Sequence, residues 1–208
     1  MRASQNLPCK RGGPYVYYDY KNKQVRGKVL DPVLGRQNRM LNIPKGHALG
    51  AELDATVIPF RGLQLNASAT YVKSEIDGTF DASNALGNPD ELGGQAFPLT
   101  PQWQMLADGE YSFPVGAGAE AFIGGSFNYQ GKTNSGLGEL DILRVPAYSV
   151  VDARIGVRSN DDSWSVTGFV RNLTDEYYWT FVNFASPDVA ARYTGRPRTF
   201  GVTLSSRF

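Results

Sequence analysis

Apolar and polar residues alternate with a period of two along most of the chain, the spacing that separates the two faces of a β-strand. Leu63, Leu65, Ala67, Ala69 and Tyr71 fall on one side of such a segment, and Gln64, Asn66, Ser68 and Thr70 on the other. The same alternation carries Trp103, Met105, Ala107, Gly109, Tyr111 and Phe113, then the odd positions from Ala119 to Tyr129. It returns in Val151, Ala153, Ile155 and Val157, and in Phe200, Val202, Leu204 and Phe208. The pattern predicts about eight strands, near Tyr15–Lys28, Gln37–Ile58, Leu63–Ile76, Leu99–Phe113, Ala119–Gly131, Pro146–Arg158, Ser163–Trp179 and Arg198–Phe208. Pro44 and Gly46 inside the second mark a bulge or a split.

The connections alternate in length. Pro59–Gly62, Pro114–Gly118 and Ser159–Asp162 are short, whereas Leu30–Gly35, Asp77–Phe97, Thr133–Val145 and Phe181–Pro197 are expected to be long. Long structureless loops are uncommon in compact soluble domains, but short turns at one end and long loops at the other are expected of an outer-membrane barrel. The expected architecture is therefore an all-β, antiparallel up-and-down meander whose C-terminus lies with the short turns. The face opposite the apolar one carries Glu52, Asp54, Asp108, Glu110, Glu120, Asp152, Arg154 and Arg158. A charge facing lipid at mid-membrane costs roughly 2–4 kcal/mol, so these residues are expected to line a lumen. A soluble β-sandwich would alternate in the same way, with its apolar face against a second sheet.

Composition narrows the function classes. The 208 residues include 23 Gly and 12 Pro, which suits a turn-rich β protein, and 12% aromatics, which suits the interfacial girdles of a membrane barrel. A net charge of +1 gives no electrostatic footprint for nucleic acid. His47 is the only histidine and Cys9 the only cysteine, so neither a metal centre nor a nucleophile–histidine pair is expected, and no cofactor or enzymatic activity. The pairs Glu52/Asp54 and Asp108/Glu110 each share a strand face, which admits acid–base chemistry but suits hydrated lumen charges better. No apolar run approaches the ~18 residues of a membrane helix. Residues 1–13 hold no secretory signal and are expected to stand apart as a non-family or disordered segment, which suggests a chain lacking its true beginning.

Two segments resemble a known family. Val170–Tyr178, with Asn172, Leu173, Asp175 and Tyr178, resembles the penultimate-strand motif of TonB-dependent outer-membrane receptors. Gly195, Pro197 and Arg198 resemble the approach to that family's last strand, and Phe200, Val202, Leu204 and terminal Phe208 resemble the signal read by the barrel assembly machinery. Ser206 stands where the family often has an aromatic. Tyr17–Gln24, Asn42–Lys45 and Gly50–Leu53 are also similar to later barrel strands.

The resemblance covers residues 15–208, so 14–208 is expected to be the C-terminal part, roughly eight strands, of a barrel of about 22 strands. The plug domain and TonB box of such receptors are not found here. The resemblance implies a Gram-negative outer membrane, contact with lipid, and, in the intact receptor, the TonB complex and a scarce small-molecule nutrient. Ferric siderophores, cobalamin and glycans are the classes it implies. Asp77–Gln95 and Phe181–Arg196 are the expected ligand-contact loops. Two other readings remain open at this point: a stand-alone small outer-membrane barrel, and a soluble β-sandwich that binds carbohydrate.

Overall fold

The computed structural model describes residues 10–12, 15–186 and 189–207. Cys9, Phe208 and nearly all of the 1–13 segment therefore lie outside the described residues. In chain order the strands are β1 Lys10–Gly12, β2 Tyr15–Asp31, β3 Gly35–Val57, β4 Leu63–Ile76, β5 Asp81–Ser83, β6 Pro89–Glu91, β7 Trp103–Pro114, β8 Ala119–Gln130, β9 Thr133–Asn134, β10 Arg144–Val145, β11 Tyr148–Ser159, β12 Trp164–Arg171, β13 Trp179–Ser186, β14 Val189–Thr194 and β15 Thr199–Ser206.

The long strands form one antiparallel meander in the order β2-β3-β4-β7-β8-β11-β12-β15. β1 continues the register of β2 on β3: Tyr15 faces Ala51, and Gly12 faces Asp54. Among the described residues, β2 and β15 each pair with a single neighbour in this sheet, so both edges are open.

Strand pairing fixes the faces. In antiparallel strands, residues opposite each other point the same way. Ala67 faces Ala107, Ala107 faces Phe127 and Phe127 faces Val151; two residues along on the same face, Ala153 faces Val170, which faces Phe200. The apolar positions thus join into one band across the sheet, and most of it is solvent-facing: Ile155 is 62% exposed, Val202 69% and Leu204 75%. No second sheet among the described residues covers it, which rules out the sandwich arrangement. Tyr17, Tyr71, Trp103 and Tyr129 edge the band toward the long loops, and Phe60, Tyr111, Phe113 and Trp164 edge it toward the short turns. Trp103 to Phe113 spans about 34 Å along β7 at 3.4 Å per residue, or roughly 26 Å in height at a tilt of about 40°. That matches the ~25 Å apolar band of an outer-membrane barrel.

The expected strands are found, with three corrections. Pro44 does not split β3. Pairing with β2 passes over Asn22 and Pro44, and Asn22 takes up a left-handed φ of 55°. The register is the same on either side, so neither a split nor a bulge forms, and beyond this point Val25 and Leu41 pack in the same buried cluster as Phe97, whose ring lies over Gly46. The fourth expected strand begins at Trp103, because Leu99, at φ 56°, turns the chain and donates its N–H to Asn134 O. The seventh stops at Arg171, where Asn172 adopts φ 52°.

The long connections are not structureless. They carry the pairs β5–β6, β9–β10 and β13–β14. Their residues complete the buried apolar clusters: Leu92, Phe97 and Leu137 with Ile43 of β3 and Ile76 of β4 in one, and Leu143, Val145 and Val182 in the other. β2 and β3 run on together for eleven residues beyond the end of β4, in ten pairs that reach Asp31 and Gly35, roughly 36 Å at 3.3 Å per residue, so the connection expected to be long at Leu30–Gly35 is a tight turn, the hairpin projects past the sheet and the loops pack against its base.

Candidate functional site

Three arrangements occupy the polar face and the long-loop end. The first is an ion-pair lattice on the polar face near the short turns. Arg154 on β11 donates to both oxygens of Asp108 at 2.7 and 3.1 Å and to Glu110 at 3.0 Å. Arg158, two pleat repeats further on the same face, bonds Glu110 at 3.0 Å, Glu120, and Ser112 Oγ at 3.0 Å. A planar fork bridging carboxylates on neighbouring strands is the geometry in which arginine outperforms lysine. Glu52 and Asp54 share this face, exposed and without an ion pair among the described residues. A face that carries these guanidinium and carboxylate groups suits an aqueous or polar neighbour, not hydrocarbon.

The second is a clasp that closes the 172–198 connection. Asn172 is 2% exposed, and its side chain makes three bonds: Nδ2 donates to Glu176 O at 2.9 Å and Arg196 O at 3.0 Å, and Oδ1 accepts from Glu176 N–H at 2.9 Å. Its own N–H donates to Asp152 Oδ1 at 2.9 Å, and the other Asp152 oxygen takes Arg171 at 2.8 Å. Leu173 N–H reaches Val151 O, and Arg198 reaches Asp175 Oδ2 at 3.3 Å and Leu173 O at 3.4 Å. Tyr178 stacks on Tyr148 with ring centroids 4.4 Å apart, and its ring lies so close to Gly195 that a Cβ there would sit 2.0 Å from Cζ. Thr199 Oγ1 donates to Pro197 O. The seven motif residues, scattered over 27 positions of sequence, meet at one knot. They lie in the connection past β12, not on the strand.

The third is a cavity of about 380 Å³ between the projecting β2–β3 hairpin and the loops, a size ordinary for a small-molecule site. Lys23, Arg26 and Lys28 line one wall, and Phe97, Phe181 and Phe184 contribute aromatic surface. Lys23 Nζ stands 4.1 Å over the Tyr20 ring and 4.9 Å over Phe97. Lys28 donates to Phe184 O at 3.3 Å. Its amine is held below the usual lysine value, first by burial and then by the nearby Arg36 guanidinium. In the 77–102 loop, Glu91 accepts N–H bonds from Phe80 at 2.8 Å and Gly93 at 2.7 Å, which hold its carboxyl below the ordinary range.

The expected residues fall into place unevenly. Asp108, Glu110, Glu120, Arg154 and Arg158 form the lattice, whereas Asp152 belongs to the clasp. Phe200, Val202 and Leu204 stand exposed on the apolar face of edge strand β15. Sequence reading missed the cavity lysines, because no local pattern shows that the β2–β3 hairpin will meet three loops distant in sequence. Tyr178, Trp179 and Phe181 pack within the loop assembly against Tyr148, Arg192 and Tyr193. His47 bonds Asp77 at 2.6 Å with no further ligand, and no group of metal-ligating side chains occurs among the described residues.

Comparison with known proteins adds an independent line. The family model described as "TonB dependent receptor-like, beta-barrel" matches residues 15–173. No curated protein sequence matches the chain. Among solved structures, the ferric yersiniabactin uptake receptor FyuA from Yersinia pestis superposes with a TM-score of 0.72 at 18% identity, over 93% of this chain and 27% of that one. The ferric-catecholate import receptor Fiu from E. coli K12 gives 0.64 at 20% identity, over 94% and 24%. The siderophore receptor PiuA from Acinetobacter baumannii gives 0.63 at 19% identity, over 94% and 25%. At these identities the likeness is one of fold, and the chain spans about a quarter of the length of each.

Proposed function

The chain belongs to the TonB-dependent receptor β-barrel family, and on that premise we propose that it forms part of the wall of an outer-membrane receptor for active nutrient uptake. Its place is the Gram-negative outer membrane, with the short turns in the periplasm and the long loops outside. The observation that carries this reading is the continuous apolar band, about 26 Å tall between two aromatic rows, backed by a polar face that carries the ion-pair lattice. The open edges at β2 and β15 favour a segment of a wider wall over a small closed barrel, because unpaired edges are not tolerated in lipid. Other strands, a plug and coupling to TonB complete the transporter in this account. Phe200, Val202, Leu204 and Phe208 serve as the signal for the assembly machinery, and the polar lattice faces the lumen.

The cargo is a scarce nutrient of the ferric siderophore, cobalamin or glycan kind, and it first meets the long-loop end. The test is uptake of labelled ferric siderophores, cobalamin and oligosaccharides by cells with and without the gene. Gene-dependent uptake of one class, abolished by a protonophore, is expected. Equal uptake of every class in both strains, with the protein absent from the outer-membrane fraction, contradicts the proposal.

A further inference from the structure

We propose that a second cavity, on the outward face of the sheet between the 77–102 and 131–147 loops, seats the phosphorylated sugar headgroup of an outer-leaflet glycolipid. The inference goes beyond the uptake reading and rests only on its orientation, with the apolar band in hydrocarbon and the long loops outside.

The position of the cavity comes first. It measures about 760 Å³ and stands where the band meets the long loops. Its floor is Trp103 of β7 and Tyr129 of β8, and both point to the apolar face: Tyr129 faces Met105, and Trp103 precedes Met105 by two positions. Gly131, whose N–H donates to Trp103 O at 2.8 Å, adds no side chain beside the indole. Below the floor the same face runs on without a polar residue, through Met105 and Ala107 on β7 and Phe127 and Ile123 on β8. Phe127 is 39% exposed and Ile123 54%. A ligand here meets polar loops at one end and the apolar band at the other. An amphiphile uses both ends, whereas a soluble sugar uses the upper one alone.

The walls define the headgroup. Lys132 and Arg144 bring cations to the lining. Lys132 is exposed and has no ion pair among the described residues, and Arg144 meets Asp141, itself 83% exposed. Glu139, the carboxylate of the lining, is engaged as a tie between the two loops, its Oε1 accepting the Ala96 N–H at 3.0 Å. Gln102 and Thr133 add hydrogen-bonding side chains. Aromatic rings that combine an apolar body with a polar edge settle at headgroup height, and a lysine at that height attracts anionic headgroups. A phosphate answers Lys132, a sugar ring covers the aromatic floor, and acyl chains lie along Met105, Phe127 and Ile123. A zwitterionic phospholipid brings its own cation to Lys132 and no ring to the indole. A neutral glycolipid leaves Lys132 without a counter-charge.

The test titrates the complete protein, purified in detergent, with four probes and counts bound molecules by native mass spectrometry. The probes are bisphosphorylated lipid A, lipid A stripped of both phosphates, phosphatidylglycerol, and the deacylated disaccharide bisphosphate. Lipid A is expected to bind tightest, to weaken with added salt, and to lose about tenfold in affinity in Lys132→Gln and in Trp103→Ala. Lys132→Arg and Trp103→Phe should retain binding, and so should Arg61→Gln at the short-turn end. Lys132 lies in a loop, so its variants leave the sheet intact, and heat-modifiable gel mobility verifies that every variant is folded. Equal affinity for phosphatidylglycerol, for the dephosphorylated lipid or for the deacylated disaccharide overturns the proposal, as does unchanged lipid A affinity in Lys132→Gln. Energised nutrient uptake without selective lipid A binding would sink this inference and leave the transport reading standing. Selective binding lost in Lys132→Gln, without energised uptake of any nutrient, would do the reverse.

Discussion

Replacing Asn172 with alanine should open the 172–198 connection without unfolding the sheet. The side chain makes three hydrogen bonds at 2.9–3.0 Å in a site that is 2% exposed, and the residue sits at φ 52°. Each bond contributes about 1 kcal/mol net, and alanine adds roughly 1 kcal/mol of left-handed backbone strain that asparagine largely escapes. The total, about 3–4 kcal/mol, raises the open population of the loop on the order of 100- to 1,000-fold at 1.4 kcal/mol per tenfold. The strands of the sheet lose no contact, so the opening stays local.

The assay is limited trypsin digestion of outer-membrane vesicles, following cleavage after Arg192. When opening is fast relative to cleavage, the rate tracks the open population. Asn172→Asp keeps the acceptor for Glu176 N–H but loses both donated bonds, and should fall between wild type and Asn172→Ala. A cleavage rate in Asn172→Ala within about threefold of wild type would refute the clasp energetics.

Further outcomes follow from the same geometry. Gly195→Ala should displace Tyr178 from Tyr148 and cost about 1–3 kcal/mol by overpacking. The cost should largely vanish in a Tyr178→Ala background, a coupling measurable by a double-mutant cycle of thermal unfolding. The Glu91 carboxyl is depressed in the folded loop, so its contribution is present above the unfolded carboxylate pKa and lost as pH falls through the lower folded value. Hydrogen exchange at the Phe80 and Gly93 amides, corrected for intrinsic rates, should therefore accelerate only in acid below the ordinary Glu range. Phe127→Arg, in mid-band on the apolar face, should cost roughly 2–4 kcal/mol of membrane stability, while Asn128→Arg on the polar face should cost little. Denaturant unfolding in lipid distinguishes the two.

The meander was legible in sequence because alternation is a local signal. Leu63–Ile76 was bounded without error, and the odd positions of β7 and β8 lie on the face that the pattern assigned them. Errors occurred where backbone conformation overrides alternation. Leu99 and Asn172 adopt left-handed φ for tertiary reasons, a carbonyl of a distant loop in one case and a side-chain knot in the other, and nothing in their flanking residues announces it. β13 escaped notice because Trp179, Phe181, Val182 and Phe184 are apolar on both faces, as befits a hairpin buried among loops. The motif residues of the clasp were recognised by resemblance, but their physical role emerged only when Asp152, 20 residues upstream, was found beneath them. The cavity depends on contacts between segments far apart in sequence, which no periodicity encodes.

The central claim is that the apolar face meets hydrocarbon, and a cysteine scan along β8 tests it directly. With Cys9 replaced by serine, single cysteines from Phe122 to Gln130 carry a spin label, and their collisions with molecular oxygen and with a water-soluble nickel chelate are compared in outer-membrane vesicles. Labels at Ile123, Gly125, Phe127 and Tyr129 should favour oxygen, and those at Phe122, Gly124, Ser126 and Asn128 should not, giving a period of two in step with the strand. Equal oxygen exposure at both sets, or nickel access confined to the odd positions, would contradict the account.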